Sequence, residues 1–116
     1  MTPVLVLTTV GADFDARSLA RALVDARVAA CVNIVPRIDS IYRWQGRVEE
    51  EGEQLLLIKT ADARVDALRE RLFALHPYEV PEFVVLPIGA TSDAYGAWLL
   101  ASVAPEEEER EERDDR

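Results

Sequence analysis

The chain of 116 residues has one histidine, His76, one cysteine, Cys31, and one lysine, Lys59. Imidazole and thiolate are the groups that favour copper and zinc, so His76 and Cys31 are the first candidates for a metal centre. A closed tetrahedral site takes four donors, so with one imidazole and one thiol per chain it needs carboxylates or several subunits. Glu79 and Glu82 follow His76 closely and are the carboxylates placed to complete it. Such oxygens shift preference away from soft copper(I). Both leading candidates also have plain structural readings. His76 precedes Pro77 at the end of a helical pattern, where it would meet the last carbonyls. Cys31 lies mid-strand, where a free cysteine behaves as a small buried hydrophobe.

Lys59 closes the apolar run Leu55-Leu56-Leu57-Ile58. With Tyr78 and Trp44 near it across a subunit interface, it would line a cleft for a small anion. The simpler alternative is a lysine stem packed along an interface with its ammonium in water. Catalytic constellations are missing. No histidine stands beside a serine or cysteine at a nucleophile turn, and no Gly-rich phosphate loop occurs. Glu49, Glu50 and Glu51 resemble a solvated strand segment more than a tuned acid/base pair. The expected protein is not an enzyme and requires no cofactor.

Composition narrows the partners. Acidic residues number 22 against 13 basic ones, a formal charge of −9. Residues 105–116 hold eight acids and three arginines, so −5 sits on the tail and −4 on the first 104 residues. Nucleic acid is excluded as an expected partner, because phosphate binding draws on clustered Lys and Arg. No apolar run reaches the roughly 18–20 residues that span a bilayer, so no membrane partner is expected. With no basic leader ahead of an apolar stretch, the expected location is cytoplasmic. A lone cysteine excludes an internal disulfide and any Cys-x-x-Cys motif.

Hydrophobic patterning supplies the elements that must position these residues. Pro3 to Val10 is a near-continuous apolar stretch, predicting a strand buried on both faces. Asp13 offers an N-cap for a helix to about Arg27, with Ala16, Leu19, Ala20 and Leu23 at helical spacing. Val28 to Val35 predicts a second strand, bent at Pro36 and resuming through Trp44. Gln45-Gly46 predicts a two-residue turn that sets Trp44 opposite Arg47, Arg43 opposite Val48 and Tyr42 opposite Glu49. Asp62 caps a second helix to about Leu75, Glu82 to Ile88 forms a fourth strand, and Ser92 caps a last helix. The fold class is therefore α+β, a ferredoxin-like β-α-β-β-α-β sandwich with a C-terminal helix. Residues 1–104 form that domain, and 105–116 an acidic tail, disordered or partly helical through Glu-to-Arg pairs four apart.

The second and third strands form a hairpin too long for one small core. Val28 to Trp44 would span roughly 56 Å if extended, against a radius of gyration of about 13 Å for a 100-residue domain. A projecting ribbon with Ile41, Tyr42 and Trp44 needs covering by sister chains, because open edges and exposed aromatics are normally shielded.

The stretch AACVNIVPRIDSIYRWQGRVEEEGEQLLLIKT, residues 29–60, followed by LHPYEVPEFVVLPI, residues 75–88, resembles the divalent-cation tolerance family, CutA. The resemblance extends from Val4 to Leu100. It implies a tight homotrimer joined through long hairpins, a role in tolerance of copper and other divalent cations, and weak metal binding. In some family members a cysteine near the end of strand one and a second histidine join the His-Pro histidine. Here those positions are Thr8 and Leu75, so such a site would keep only His76. The trimer also resembles the nitrogen-regulatory PII proteins, which implies the alternative of an anion sensor or scaffold with clefts between subunits.

Overall fold

The computed structural model describes residues 1–105; the expectations for the acidic tail from residue 106 lie outside the described residues. The elements are β1 (Pro3–Gly11), α1 (Ala16–Asp25), β2 (Cys31–Trp44), β3 (Arg47–Ala61), a 3-10 turn (Asp62–Arg64), α2 (Val65–Leu75), β4 (Val84–Pro87) and α3 (Asp93–Ser102). The sheet order is β2-β3-β1-β4 with every pair antiparallel. This is the predicted α+β arrangement of two split β-α-β units with an added helix.

β1 alternates instead of burying both faces. Val4, Val6, Thr8 and Val10 are buried against the helices, whereas Leu5, Leu7 and Thr9 on the other face are only half-buried. In a strand successive side chains point to opposite faces, and α1 and α2 cover one face alone. Leu56 and Ile58 of β3, Leu23 of α1, and Leu68 and Leu72 of α2 fill that covered side and are fully buried. Each such side chain contributes about 1.5–3 kcal/mol through removal from water.

The N-cap of α1 is Asp15, two residues later than the predicted Asp13. Its Oδ1 accepts from the Ser18 amide at 3.1 Å, while Asp13 falls inside a turn closed by Phe14 N–H to Gly11 O. At the other end, Arg27 adopts φ 61°. The Val28 amide donates to Leu23 O and the Arg27 amide to Val24 O, the paired bonds of a Schellman exit. That exit takes Arg27 and Val28; the Ala30 amide then donates to Lys59 O at 2.8 Å, and β2 starts at Cys31 and not at Val28. Asp62 also differs from a simple cap: its Oδ1 accepts from Thr2 N and Ala63 N, tying the chain start to the 3-10 turn that leads into α2.

The hairpin has the predicted register, with Trp44 opposite Arg47, Arg43 opposite Val48 and Tyr42 opposite Glu49. Gln45 at φ 50° and Gly46 at φ 80° form the two-residue loop, both left-handed as a type I′ turn requires. The bend expected at Pro36 is a register shift between Val35 and Ile38. Proline has no N–H for the ladder, so a bulge is where a strand can hold it. The ribbon extends well past the core, giving principal dimensions of 58 × 28 × 22 Å and a radius of gyration of 15.8 Å.

Candidate functional site

Where the ribbon leaves the core, β1, β3 and the segment after α2 converge. Gly11 ends β1 directly opposite Glu53 of β3, and the segment after α2 folds back over both. In that segment His76 carries the last helical amide bond, to Leu72 O, and then turns extended, as a residue before proline must. Pro77 and Pro81 keep the following loop out of helix, so Tyr78 is held beside His76 with ring centroids 4.9 Å apart.

His76 uses both ring nitrogens on backbone. Nε2 donates to Thr9 O at 2.9 Å, and Nδ1 accepts from the Tyr78 amide at 3.0 Å. The pairing defines a neutral ring protonated at Nε2. Burial pushes the His76 pKa below its ordinary 6.5, against smaller opposing effects of the Thr9 carbonyl and the Glu53 carboxylate. A metal on His76 would have to displace one of these bonds.

The Tyr78 hydroxyl reaches past the end of β1 and donates to Glu53 Oε2 at 2.7 Å. Burial, then the bond to Glu53, pushes the Tyr78 hydroxyl far above its usual range. Glu53 is 6% exposed, and among the described residues no Lys or Arg forms an ion pair with it. Glu82 is drawn into the same field: burial first, then Glu53, raises its carboxyl above the ordinary range. Tyr42, on the hairpin, shifts upward through desolvation and Glu51. Below this cluster the Gln54 amide donates to Gly11 O and Phe14 O, both at 2.9 Å, and secures the β1–α1 loop.

The residues singled out in the sequence therefore divide. His76 and Tyr78 gather around Glu53; Glu82 and Glu79 of the same loop are both exposed, and Glu82 is raised by desolvation first and the Glu53 charge second. Cys31 lies elsewhere, paired with Lys59 in the β2–β3 register and with its thiol donating to Asn33 Oδ1 at 3.6 Å. Lys59 donates to Tyr95 Oη at 3.1 Å, a partner supplied by α3 of the same chain. Tyr78 serves Glu53, and Trp44 is at the distal hairpin turn, 41% exposed with Ile41 at 66%. Tyr42 is also exposed. Among the described residues no group of three His, Cys, Asp or Glu side chains is arranged to hold a metal ion. The thiol and imidazole that would suit copper(I) are not assembled within one chain; the donors that do converge are oxygens. Glu53 had no special signal in the sequence, since it resembled its solvated neighbours Glu49 to Glu51.

Comparison with known proteins agrees with this framework. Residues 4–102 match the family model described as CutA1 divalent ion tolerance protein. The chain belongs to the CutA1 family. It is 55% identical over 95 residues to the divalent-cation tolerance protein CutA of Thermus thermophilus, an alignment covering 82% of this chain and 92% of that protein. It is 46% identical to a CutA homolog of Xenopus laevis, covering 81% of this chain but 62% of that longer protein. It is 44% identical to a chloroplastic CutA of Arabidopsis thaliana, covering 85% of this chain and 54% of that one. Among solved structures, the Thermus thermophilus CutA1 superposes with a TM-score of 0.85 at 50% identity, covering 89% of this chain and all of that one. CutA of Xylella fastidiosa gives 0.84 at 37% identity, covering 90% of this chain and all of that one. The Thermus thermophilus relative is the one of these named for divalent-cation tolerance. Another structural neighbour, from Archaeoglobus fulgidus at 26% identity, is described as periplasmic. Among the described residues no helix is long and apolar enough to cross a membrane.

Proposed function

We propose that this CutA1 family member is a non-enzymatic homotrimer of the cytoplasm that contributes to divalent-cation tolerance by binding the cation itself with modest affinity. The observation that carries the reading is Glu53, a carboxylate almost removed from water, bonded to one hydroxyl and lacking an ion-pair partner among the described residues. Such a charge is expensive unless a cation meets it. Glu82 adds a second carboxylate, raised by desolvation first and by the Glu53 charge second, and a cation at Glu53 would remove the smaller of the two causes. Oxygen donors suit hard divalent ions better than copper(I), so copper binding would be in the divalent state and weak.

Self-association supports the same reading. The sheet face away from α1 and α2 presents Leu5, Leu7, Leu55 and Leu57 half-buried and Val84 and Leu86 exposed, and the hairpin presents Ile41 and Trp44. Closing sister chains over that surface would remove further donors of the cluster from water and leave the cation as the remaining counter-charge.

Titration calorimetry with Mn(II), Zn(II) and Cu(II) tests the proposal on wild type, Glu53→Gln and His76→Ala. The expected result is about a tenfold or greater loss of affinity in Glu53→Gln. Unchanged affinity in that variant would refute the assignment. A loss confined to His76→Ala would return the site to the imidazole.

A further inference from the structure

α1 carries a stripe of side chains that the core does not use. Arg17, Arg21 and Val24 follow one another at helical spacing on one face, the arginines exposed and Val24 40% exposed. Opposite them Val32 and Ile34 of β2, the edge strand of the sheet, close an open groove of about 360 Å³. Asp25 also lines it, yet among the described residues neither Arg17 nor Arg21 forms an ion pair. Arg64 adds a further positive charge at the C-terminal end of α1, where a terminal nitrogen donates to Arg27 O at 3.4 Å.

The chain leaves α3 beside this groove. Arg27, just past α1, donates to Ala104 O at 2.9 Å and to Ala101 O at 3.0 Å, which fixes the last turn of α3 at the C-terminal end of α1. A second cavity lined by Arg27, Trp98 and Ser102 shares Val24 with the groove, so the two are continuous. Residues 106–116 follow as EEEEREERDDR, a charge of −5, with Glu106 to Glu109 ahead of the first arginine. Arg17 lies roughly 15 Å back along α1 from Arg27 at the helical rise. Eleven residues reach roughly 16 Å as a helix and roughly 36 Å extended, so either form spans the stripe. Sign and length both match.

We propose that the groove between α1 and the edge of β2 is the docking site of this chain's own acidic tail, residues 106–116, held by Arg17 and Arg21. The arginines supply the counter-charge, and the apolar floor of Val24, Val32 and Ile34 lowers the local dielectric and strengthens each pair. A tail in this place covers the outer edge of β2 with backbone and like charge, one of the ways in which proteins keep an open strand from pairing with others. The groove belongs to the helix side of the sheet. Sister chains would close the opposite face, so docking and assembly do not compete. The inference is also independent of the cation reading at Glu53.

The test follows trypsin cleavage after Arg110 and Arg113 in the full-length protein by mass spectrometry, with a synthetic peptide of residues 104–116 as the undocked reference. At about 20 mM salt the wild type should be cut about threefold or more slowly than the peptide, and at about 500 mM that protection should vanish. Arg17→Gln combined with Arg21→Gln should bring cleavage to within about twofold of the peptide rate, whereas Arg17→Lys with Arg21→Lys keeps both charges and the protection. Wild type cut at the peptide's rate in low salt would overturn the proposal, and this comparison needs no variant if the glutamine protein misfolds. Protection that survives high salt or the glutamine substitutions would overturn it as well. So would protection that rises with protein concentration, because the tail would then lie on another molecule. A fall in the light-scattering mass of the glutamine variant would do the same, since the groove would then hold a sister chain.

Discussion

The Tyr78 hydroxyl donates a 2.7 Å hydrogen bond to Glu53, joining the His-Pro-Tyr turn after α2 to the strand from which the long hairpin departs. Because Glu53 is 6% exposed, that bond is also what makes its burial tolerable. Tyr78→Phe keeps the ring and removes the donor. The expected cost is about 1.5–3 kcal/mol, the range for hydrogen bonds to a charged group. Glu53→Gln retains an acceptor and removes the charge, so it should cost less. Urea unfolding in the presence of a chelator measures both, and a Glu53→Gln protein less stable than Tyr78→Phe would contradict this account.

Arg27 holds a left-handed conformation that glycine would adopt without strain, and its side chain explains why arginine is there. Nε donates to Ala104 O at 2.9 Å and a terminal nitrogen to Ala101 O at 3.0 Å, closing the C-terminal end of α3. Arg27→Ala loses those bonds and keeps the strain; Arg27→Gly loses them and relieves it. Arg27→Gly should therefore be more stable than Arg27→Ala by about 1 kcal/mol. Thermal melts of the two variants decide the matter.

Thr8 is fully buried on β1, and among the described residues its hydroxyl oxygen has no hydrogen-bond partner. An unsatisfied buried hydroxyl costs about 1–3 kcal/mol. Thr8→Val keeps the branched shape and deletes the polar atom, so stability should be unchanged or increase by about 1 kcal/mol. A loss of more than that in a denaturant titration would show that the hydroxyl has a role beyond packing.

His76 makes stability depend on pH. Its folded pKa is below the ordinary 6.5, so the unfolded chain binds the proton more readily. The contribution is fully present above about pH 6.5 and is lost as pH falls through the lower folded value. Protonation at Nδ1 would also set a donor against the Tyr78 amide that now donates to it. Glu82, with its raised pKa, acts in the opposite sense, gaining on acidification. Comparing wild type with His76→Gln between pH 7.5 and 5 isolates the histidine, and the wild-type decline should be the steeper. Parallel curves would exclude it.

Trp44 stands beside the distal turn of the hairpin, 41% exposed. If sister chains cover it, Trp44→Asp should shift the light-scattering mass from trimer toward monomer and lower the melting temperature. An unchanged mass would leave the hairpin tip outside any subunit contact.

Local chemistry made most of the fold legible. Hairpin register followed from Gln45-Gly46, because a two-residue loop leaves one pairing, and α3 followed from Ser92, whose hydroxyl accepts from the Tyr95 amide. Boundaries differed where short-range backbone bonds decided them: Asp15 displaced Asp13 because Gly11–Phe14 closed its own turn, and β2 begins late because Arg27 and Val28 close the exit of α1. For the site, the motif around His76 marked the right region, since a histidine before proline must leave the helix and turn.

What the amino-acid order alone determined was the set of elements, their periodicity and the length of a hairpin exceeding one core. Only the tertiary structure decided what the side chains do. Glu53 is indistinguishable from Glu49 to Glu51 along the chain, and it becomes a buried charge because Tyr78, 25 residues away, lies over it. His76 resembles a ligand by type, and its two nitrogens are taken by Thr9 and Tyr78. Lys59 meets Tyr95 from a helix 36 residues on. Burial and hydrogen bonding are properties of neighbours in space, and in an antiparallel sheet packed with helices those neighbours are distant in sequence.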